Sequence, residues 1–345
     1  MDVPFLTVLM PVYNSGPYLE AAAASILAQT WMDFEFLILD DGSSDGTLAR
    51  LQRLAESDRR IRLVAGPRRG LVGTLNAGLD LARGRYLARM DADDLAHPQR
   101  LAFQVAALEN DPSLVVCGSY FETIDQDGRS LGVARMPQTD TEIRWHQLFH
   151  AAFAHPSIVC RLDVLRRERL YFDPAFVHAE DFDLWRRVSE HGRVCNLPQP
   201  LLQYRFYPDQ KSQQALNWEY ACEAARRSMS RLGLKPDLQQ VNRLRQWYYT
   251  FPHVMDREGV DTCRLLLTLL NRFSQQPGLD SRQLHWIRSR WLLKVFLARR
   301  GAGAARFWKL GLLPALRWSD PFYLPAYFQQ RRRLMQESQQ LARLA

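Results

Sequence analysis

The apolar positions of the first hundred residues fall into a repeating order of short runs and helical stripes. Residues 5–12, FLTVLMPV, form an apolar run that Pro11 and a polar Tyr-Asn-Ser-Gly turn bring to an end, the pattern of a buried strand entering a loop. In PYLEAAAASILAQ, residues 17–29, Leu19, Ala23, Ile26 and Leu27 share one face, and Pro17 suits a first helical turn. FEFLILD then reads as a second strand that runs into Asp40-Asp41-Gly42-Ser43. A helix over 48–55, a strand IRLVAG at 61–66, a helix over 73–83 and a strand RYLARMDADD at 85–94 continue the series. Strand and helix alternating at this spacing predict a parallel sheet with crossover helices. Ligands of such sheets gather beyond the carboxyl ends of the strands. The loop after Pro11, the Asp40-Asp41 pair and the Asp91-Ala92-Asp93-Asp94 cluster all fall at such ends.

Further along, the pattern predicts a helix over 98–109 and a strand over 113–125. Residues 155–165 mix strand and helix signals. Leu184, Trp185 and Val188 follow an acidic start at helical spacing, so 182–190 reads as a helix. RVCNLPQPLLQYR closes this half as a strand. A boundary near 212 divides the chain into an α/β domain, 1–212, and a mainly helical region, 213–345, broken up by Pro314, Pro321 and Pro325. No internal repeat is visible, and no apolar run reaches the ~18 residues of a membrane span.

Charge sharpens that division. Residues 1–212 hold 23 Lys+Arg and 28 Asp+Glu, a net of −5; residues 213–345 hold 22 and 9, a net of +13, which together give the chain its +8. LHWIRSRWLLKVFLARR sets Leu284, Ile287, Trp291 and Val295 near one face, with Arg288, Arg290, Lys294, Arg299 and Arg300 as a basic rim. Phe307, Trp308, Leu312 and Trp318 follow. This composition suits a helix lying in an anionic membrane interface, or equally a basic helical bundle packed on the first half. No nucleic-acid-binding motif accompanies the charge. Five scattered cysteines without CxxC spacing argue against a disulfide framework or a zinc site and fit a reducing cytosol. The N-terminal stretch lacks the basic start of a secretory signal. Gly301-Ala-Gly303 follows a helical stretch, so it reads as a turn and not a dinucleotide loop; Gly70 to Gly73 lacks the Lys-Ser/Thr of a phosphate loop.

Two acidic groups carry the candidate chemistry. In an extended segment Asp91 and Asp93 project the same way. Two such carboxylates make a hard oxygen site suited to Mg²⁺ or Mn²⁺, which recruits phosphate oxygens to its remaining positions. The alternative is capping, with Asp94 satisfying the first turn of the helix that follows. Glu180 and Asp181 stand before the 182–190 helix. They are either dipole-favoured caps or a general base with its neighbour, able to deprotonate an attacking hydroxyl.

Taken together, VLMPVYNSGPYLEAAAASILAQTWMDFEFLILDDGSSDGT, RGLVGTLNAGLDLARGRYLARMDADDLAHPQR, AHPSIVCRLDVL and AEDFDLWRRVSEHGRVCNLPQPLLQYR resemble the family 2 glycosyltransferases over residues 5–212. Asp91-Ala92-Asp93 stands as the DxD motif and Glu180-Asp181 as the ED motif. The resemblance implies a GT-A type α/β fold, a mostly parallel sheet flanked by helices, here followed by a helical C-terminal region. It implies a metal-dependent inverting transferase that moves a sugar from a nucleotide sugar, UDP-linked, to a hydroxyl of a glycan or lipid-linked acceptor. Mn²⁺ or Mg²⁺ would be the cofactor, surface polysaccharide or glycoconjugate the product, and the cytoplasmic face of the membrane the setting. Asp181 is then the expected base with Glu180 beside it. Asp93 and Asp91 are the expected metal ligands. Pro11, Tyr13, Asn14, Asp40, Asp41, Arg68, Asn76, Asp91, Ala92, Gln210 and Lys211 are expected around the nucleotide diphosphate, with Gly78 in the same segment. His155 and residues 205–212 are expected to border the acceptor or diphosphate. Two other classes stay open: a non-catalytic nucleotide- or carbohydrate-binding module on this fold, and a nucleotidyltransferase. The latter usually has a glycine- and basic-rich loop after its first strand, which PVYNSGPYLE is not.

Overall fold

The computed structural model describes residues 3–207, 217–249 and 257–297. The chain divides into two compact units, 1–224 and 225–345. The first is built on a nine-stranded sheet. Its opening strands are β1 (Leu6–Val12), β2 (Phe34–Asp40), β3 (Ile61–Ala65) and β4 (Tyr86–Arg89), joined through α1 (Leu19–Leu27), α2 (Thr47–Ser57) and α3 (Gly70–Leu81). These four strands are parallel, in the order β3-β2-β1-β4. The strand order therefore reverses between β1 and β4, and the crevice beyond their carboxyl ends is where such sheets hold ligands.

The sheet is less uniform than the sequence pattern predicts. After β4 come β5 (Leu95–Ala96), α4 (Arg100–Asn110), β6 (Leu114–Ile124), β7 (Ser130–Ala134), α5 (Asp140–His146), β8 (Val159–Arg161), α6 (Leu162–Arg167), α7 (Glu180–Val188) and β9 (Arg193–Arg205). β8 lies antiparallel between β4 and β6, while β9 runs parallel to β6. β5 and β7 pair antiparallel with β9 and β6. Two- and three-residue strands such as β5 and β8 are too short to leave a periodic signal. Pro11 lies within β1 and does not end it. β4 pairs with β1 only as far as Leu9–Arg89, so that ladder has stopped before the proline's missing N–H would matter. β9 also carries Pro198 and Pro200, and its register against β6 shifts there, between Ser119 and Phe121. That irregularity lets the far half of β9 turn onto β5, pairing Leu95 with Gln203. It thereby brings Arg205 and Tyr207 to the end of β4.

β1 and β2 are buried along their whole length, as parallel strands covered on both faces should be. Val8, Met10, Phe36 and Ile38 pack with Leu19, Ile26, Leu101 and Val105 of α1 and α4. Leu9, Leu37 and Leu39 pack on the other face with Leu75 and Leu79 of α3 and Leu184 and Trp185 of α7. Gly78 belongs to this packing, since a Cβ there would fall 2.5 Å from the Leu9 side chain.

α8 (Asn217–Arg231) spans the division between the units. The second unit's other described helices are α9 (Leu238–Tyr249), α10 (Arg257–Phe273) and α11 (Ser281–Leu297). Val241, Leu244, Leu266, Leu269, Leu270, Ile287 and Trp291 are buried. Arg288, expected on a basic rim, is buried too and donates to Asn271 Oδ1 at 2.8 Å. Arg299, Arg300 and the aromatic residues from Phe307 to Trp318 lie outside the described residues. No described helix is long and apolar enough to cross a membrane.

Candidate active site

The acidic cluster is built by a turn and not by strand alternation. β4 ends at Arg89, and residues 92–93 turn before β5 begins at Leu95. This turn folds Asp91, Asp93 and Asp94 together, with one carboxylate oxygen of each lying within 4.8 Å of the others. Asp94 is not a helix cap, because α4 starts only at Arg100 with Gln99 as its N-cap. Instead its Oδ1 accepts the Arg205 backbone N–H at 2.8 Å, and its buried Oδ2 has no partner among the described residues. Asp93 Oδ2 accepts the Tyr207 hydroxyl at 2.8 Å. Arg205 braces the turn: its Nε donates to the Asp93 carbonyl at 2.9 Å, Nη1 reaches the carbonyls of Asp125 and Gln126, and its guanidinium lies 4.1 Å over the Tyr18 ring. Burial and the Asp91 charge push the Asp93 carboxyl above its ordinary range; burial and both neighbours push Asp94 further. A buried orphan oxygen among crowded hard donors fits a divalent cation of the Mg²⁺ or Mn²⁺ type.

Glu180 and Asp181 occupy the first two positions of α7 behind an N-cap Ala179, in the first turn where the helix dipole favours acidic side chains. Asp181 Oδ1 accepts the Phe182 N–H at 2.7 Å. Burial, then the Asp181 charge, raises Glu180 to about 8; burial also raises Asp181. The same two groups feel Asp91 and Arg89. The pair therefore lies within electrostatic reach of the acid turn and of one cation. That cation, Arg89, is 4% exposed and ion-paired to Asp91 through Nη1. Sequence reasoning passed over it. Its signal in the sequence is a charged residue inside the apolar run Tyr86–Met90 that leads into the acids.

His155 sits at the start of a short 3-10 turn, residues 155–157, before β8. It is 8% exposed, and its Nδ1 accepts the Trp185 indole N–H at 3.1 Å. Burial and the Arg89 charge hold its pKa well below the usual imidazole value, so the ring is neutral.

Most of the residues expected around the nucleotide gather at the ends of β1 and β2. The Arg68 guanidinium lies 4.2 Å over the Tyr13 ring. Asn14, in a left-handed conformation at φ 47, donates its N–H to Ser43 Oγ at 3.0 Å and accepts the Ser44 N–H at 2.9 Å. Asp41 receives the N–H groups of Arg69 at 2.6 Å and Gly70 at 2.9 Å, tying the β3–α3 loop to β2. Asp40 takes the Ser43 N–H at 3.1 Å and keeps Oδ1 unpartnered. Ala92 forms part of the acid turn, and Pro11 is fully covered in β1. Asn76 is held apart from this group: both ends of its amide bond the Phe172 backbone, at 2.9 Å each. Gln210 and Lys211 lie outside the described residues.

Residues 7–164 match the family described as glycosyl transferase family 2. An uncharacterized glycosyltransferase of Haemophilus influenzae is 31% identical over 220 residues, 61% of this chain and 68% of that one. The Escherichia coli UDP-Glc:alpha-D-GlcNAc-diphosphoundecaprenol beta-1,3-glucosyltransferase WfgD is 31% identical over 196 residues, 56% of this chain and 73% of its own. Among solved structures, a mannosyltransferase from Pyrobaculum calidifontis, in complex with GDP-Man and Mn²⁺, superposes with a TM-score of 0.52 at 19% identity, covering 86% of this chain and 84% of that one. The chain belongs to glycosyl transferase family 2, and its sheet is of the GT-A type. It is a glycosyltransferase that draws on a nucleotide-sugar donor.

Proposed function

We propose that this chain is a metal-dependent, inverting transferase that moves a sugar from a UDP-sugar to a hydroxyl of a lipid-linked or glycan acceptor, in the making of a surface polysaccharide or glycoconjugate. The observation that carries the reading is the acid turn itself: carboxylate oxygens of Asp91, Asp93 and Asp94 lie within 4.8 Å of one another, with Glu180-Asp181 near enough to feel the Asp91 charge. The UDP donor and lipid-linked acceptor rest on the named activity of WfgD, and Mn²⁺ on the mannosyltransferase complex.

In this reading Asp93 and Asp91 hold the cation, with Asp94 beneath them. A divalent ion there supplies positive charge to the diphosphate as it leaves. Tyr13, with Arg68 over its ring, stacks on the nucleotide base; Asn14, Asp40 and Asp41 shape the pocket edge, and Pro11 and Ala92 form its walls. Asn76 steadies the segment at Phe172. Asp181 takes the proton of the acceptor hydroxyl as that oxygen attacks the anomeric carbon from the face opposite the diphosphate. The Phe182 N–H fixes one of its oxygens, which leaves the other for the proton. One displacement inverts the anomeric configuration, so no covalent enzyme intermediate forms. The domain of residues 1–212 carries this chemistry, and 213–345 brings the enzyme to the inner, cytoplasmic face of an anionic membrane.

The test is product analysis with a UDP-sugar and an acceptor, with and without EDTA. Released UDP, an inverted linkage and loss of transfer on chelation are expected. Released pyrophosphate would instead indicate a nucleotidyltransferase, and full activity in EDTA would remove the cation from the account.

A further inference from the structure

Two buried hydrogen-bond donors near the acidic groups lack acceptors. The first is Arg89. Its Nη1 is in ion-pair contact with Asp91 and, like Nε, has no hydrogen-bond partner among the described residues. The second is His155. An indole N–H can only donate, so the Trp185 bond makes Nδ1 the acceptor. In the neutral ring the proton then sits on Nε2, which is buried and also without a partner. Trp185 lies one helical turn after Asp181 on α7, so the ring it holds stands along the base's face of that helix. Arg89 is on β4, its backbone N–H bonded to the Ile158 carbonyl of the segment that His155 begins. Both donors thus belong to the neighbourhood that the base and the acid turn share, His155 feeling the Arg89 charge and Arg89 paired to Asp91.

In a displacement of the kind proposed above, that space holds one thing: the sugar being transferred, with the attacking hydroxyl toward Asp181 and the diphosphate toward Asp93. Buried donors left unpaired are costly, and a site that keeps them gains when a substrate supplies the oxygens. The surroundings restrict which sugar can do so. Five carboxyl groups, Asp91, Asp93, Asp94, Glu180 and Asp181, outnumber the described guanidinium groups beside them, Arg89 paired to Asp91 and Arg205 and Arg100 under the acid turn, and the charge of a divalent cation there is taken up by the diphosphate. A second anion placed there would meet net repulsion.

We infer that Arg89 and His155 form the subsite for the transferred sugar, donating from Nε and Nε2 to its hydroxyl or carbonyl oxygens, and that this subsite takes a neutral hexose or N-acetylhexosamine in preference to a uronic acid. The inference rests on the proposed UDP-sugar reaction. Arg89 and His155 act by binding and orienting the sugar.

Isothermal titration with Mn²⁺ present tests it. The ligands are UDP, neutral UDP-hexoses and UDP-N-acetylhexosamines, and UDP-glucuronate. The proteins are the unmodified chain, His155→Ala, and Arg89→Lys, which keeps a cation for Asp91 but has no Nε. The unmodified protein should bind its best neutral UDP-sugar about tenfold or more tighter than UDP-glucuronate. Each variant should lose about fivefold to tenfold in affinity for that neutral sugar nucleotide, with UDP itself within about twofold. Equal binding of the uronate by the unmodified protein would overturn the inference, whatever the variants do. So would variants whose ratio of UDP-sugar to UDP affinity is unchanged. If UDP does not bind the unmodified protein at all, the proposed function fails, and the inference with it.

Discussion

Burial decides how the individual acids behave. Asp93, Asp94, Glu180 and Asp181 all carry carboxyl groups raised above their ordinary range, first by desolvation and then by one another. A base must be ionised to work, so transfer should rise with pH through a limb above the usual carboxylate range, because burial raises the Asp181 carboxyl. A limb near about pH 4 would contradict the assignment. Asp181→Asn should cut transfer by roughly 10²-fold or more while nucleotide affinity stays close to that of the unmodified protein. Unchanged turnover would remove Asp181 from the role. Stability follows with the opposite sign. A carboxyl whose pKa is raised by folding favours the protonated form in the fold. Its contribution is therefore fully present below the unfolded value of about 4 and is lost as pH rises through the folded one. The cation-free protein should melt at a lower temperature at about pH 8 than at about pH 5.5, and Mn²⁺ should restore more at the higher pH. A cation-free protein more stable at the higher pH would contradict this.

At the scale of elements, the site depends on how β4 is held where it stops. Arg100 is fully buried at the start of α4. Its guanidinium bonds the carbonyls of Arg89 at 2.7 Å and Ile158 at 3.2 Å and the Gln104 side chain at 3.1 Å. It ties the end of β4 to the segment behind His155 from below the acid turn. Arg100→Met fills much of the volume but strands those acceptors. It should cost about 3 kcal/mol or more in denaturant unfolding. A loss under about 1 kcal/mol would mean that water replaces the guanidinium.

The elements that carry chemistry were also the ones most legible in the sequence. Four long apolar runs mark β1, β2, the end of β4 and β6, and parallel order follows from the helices between them. The antiparallel insertion of β8 and the return of β9 onto β5 were not legible, because neither has a local period: they are set by which edge is left to cover. The same applies to side chains. Asp91, Asp93, Glu180 and Asp181 stand out by type and spacing. Tyr207 on Asp93, Arg205 under the turn and the Trp185–His155 bond join residues far apart in the chain, which no window along the sequence captures.

For the whole molecule, the charge division is the dominant feature: −5 over residues 1–212 against +13 over 213–345. The membrane contact proposed for the basic half would be electrostatic, and attraction of that sort fades as salt shortens the Debye length. The protein should float with vesicles rich in anionic lipid at low salt and be released by about 0.5 M salt. Failure to float at low salt would assign the charge to another task.

The central claim is that the acidic turn exists to hold a cation for a nucleoside diphosphate. It is tested most directly by isothermal titration of UDP, GDP, dTDP and CDP, each with and without Mn²⁺. The account predicts binding of UDP that tightens about tenfold or more with the metal, and loss of that gain in Asp93→Asn. Binding of UDP that is indifferent to Mn²⁺, or of none of the four nucleotides to the folded protein, would contradict it.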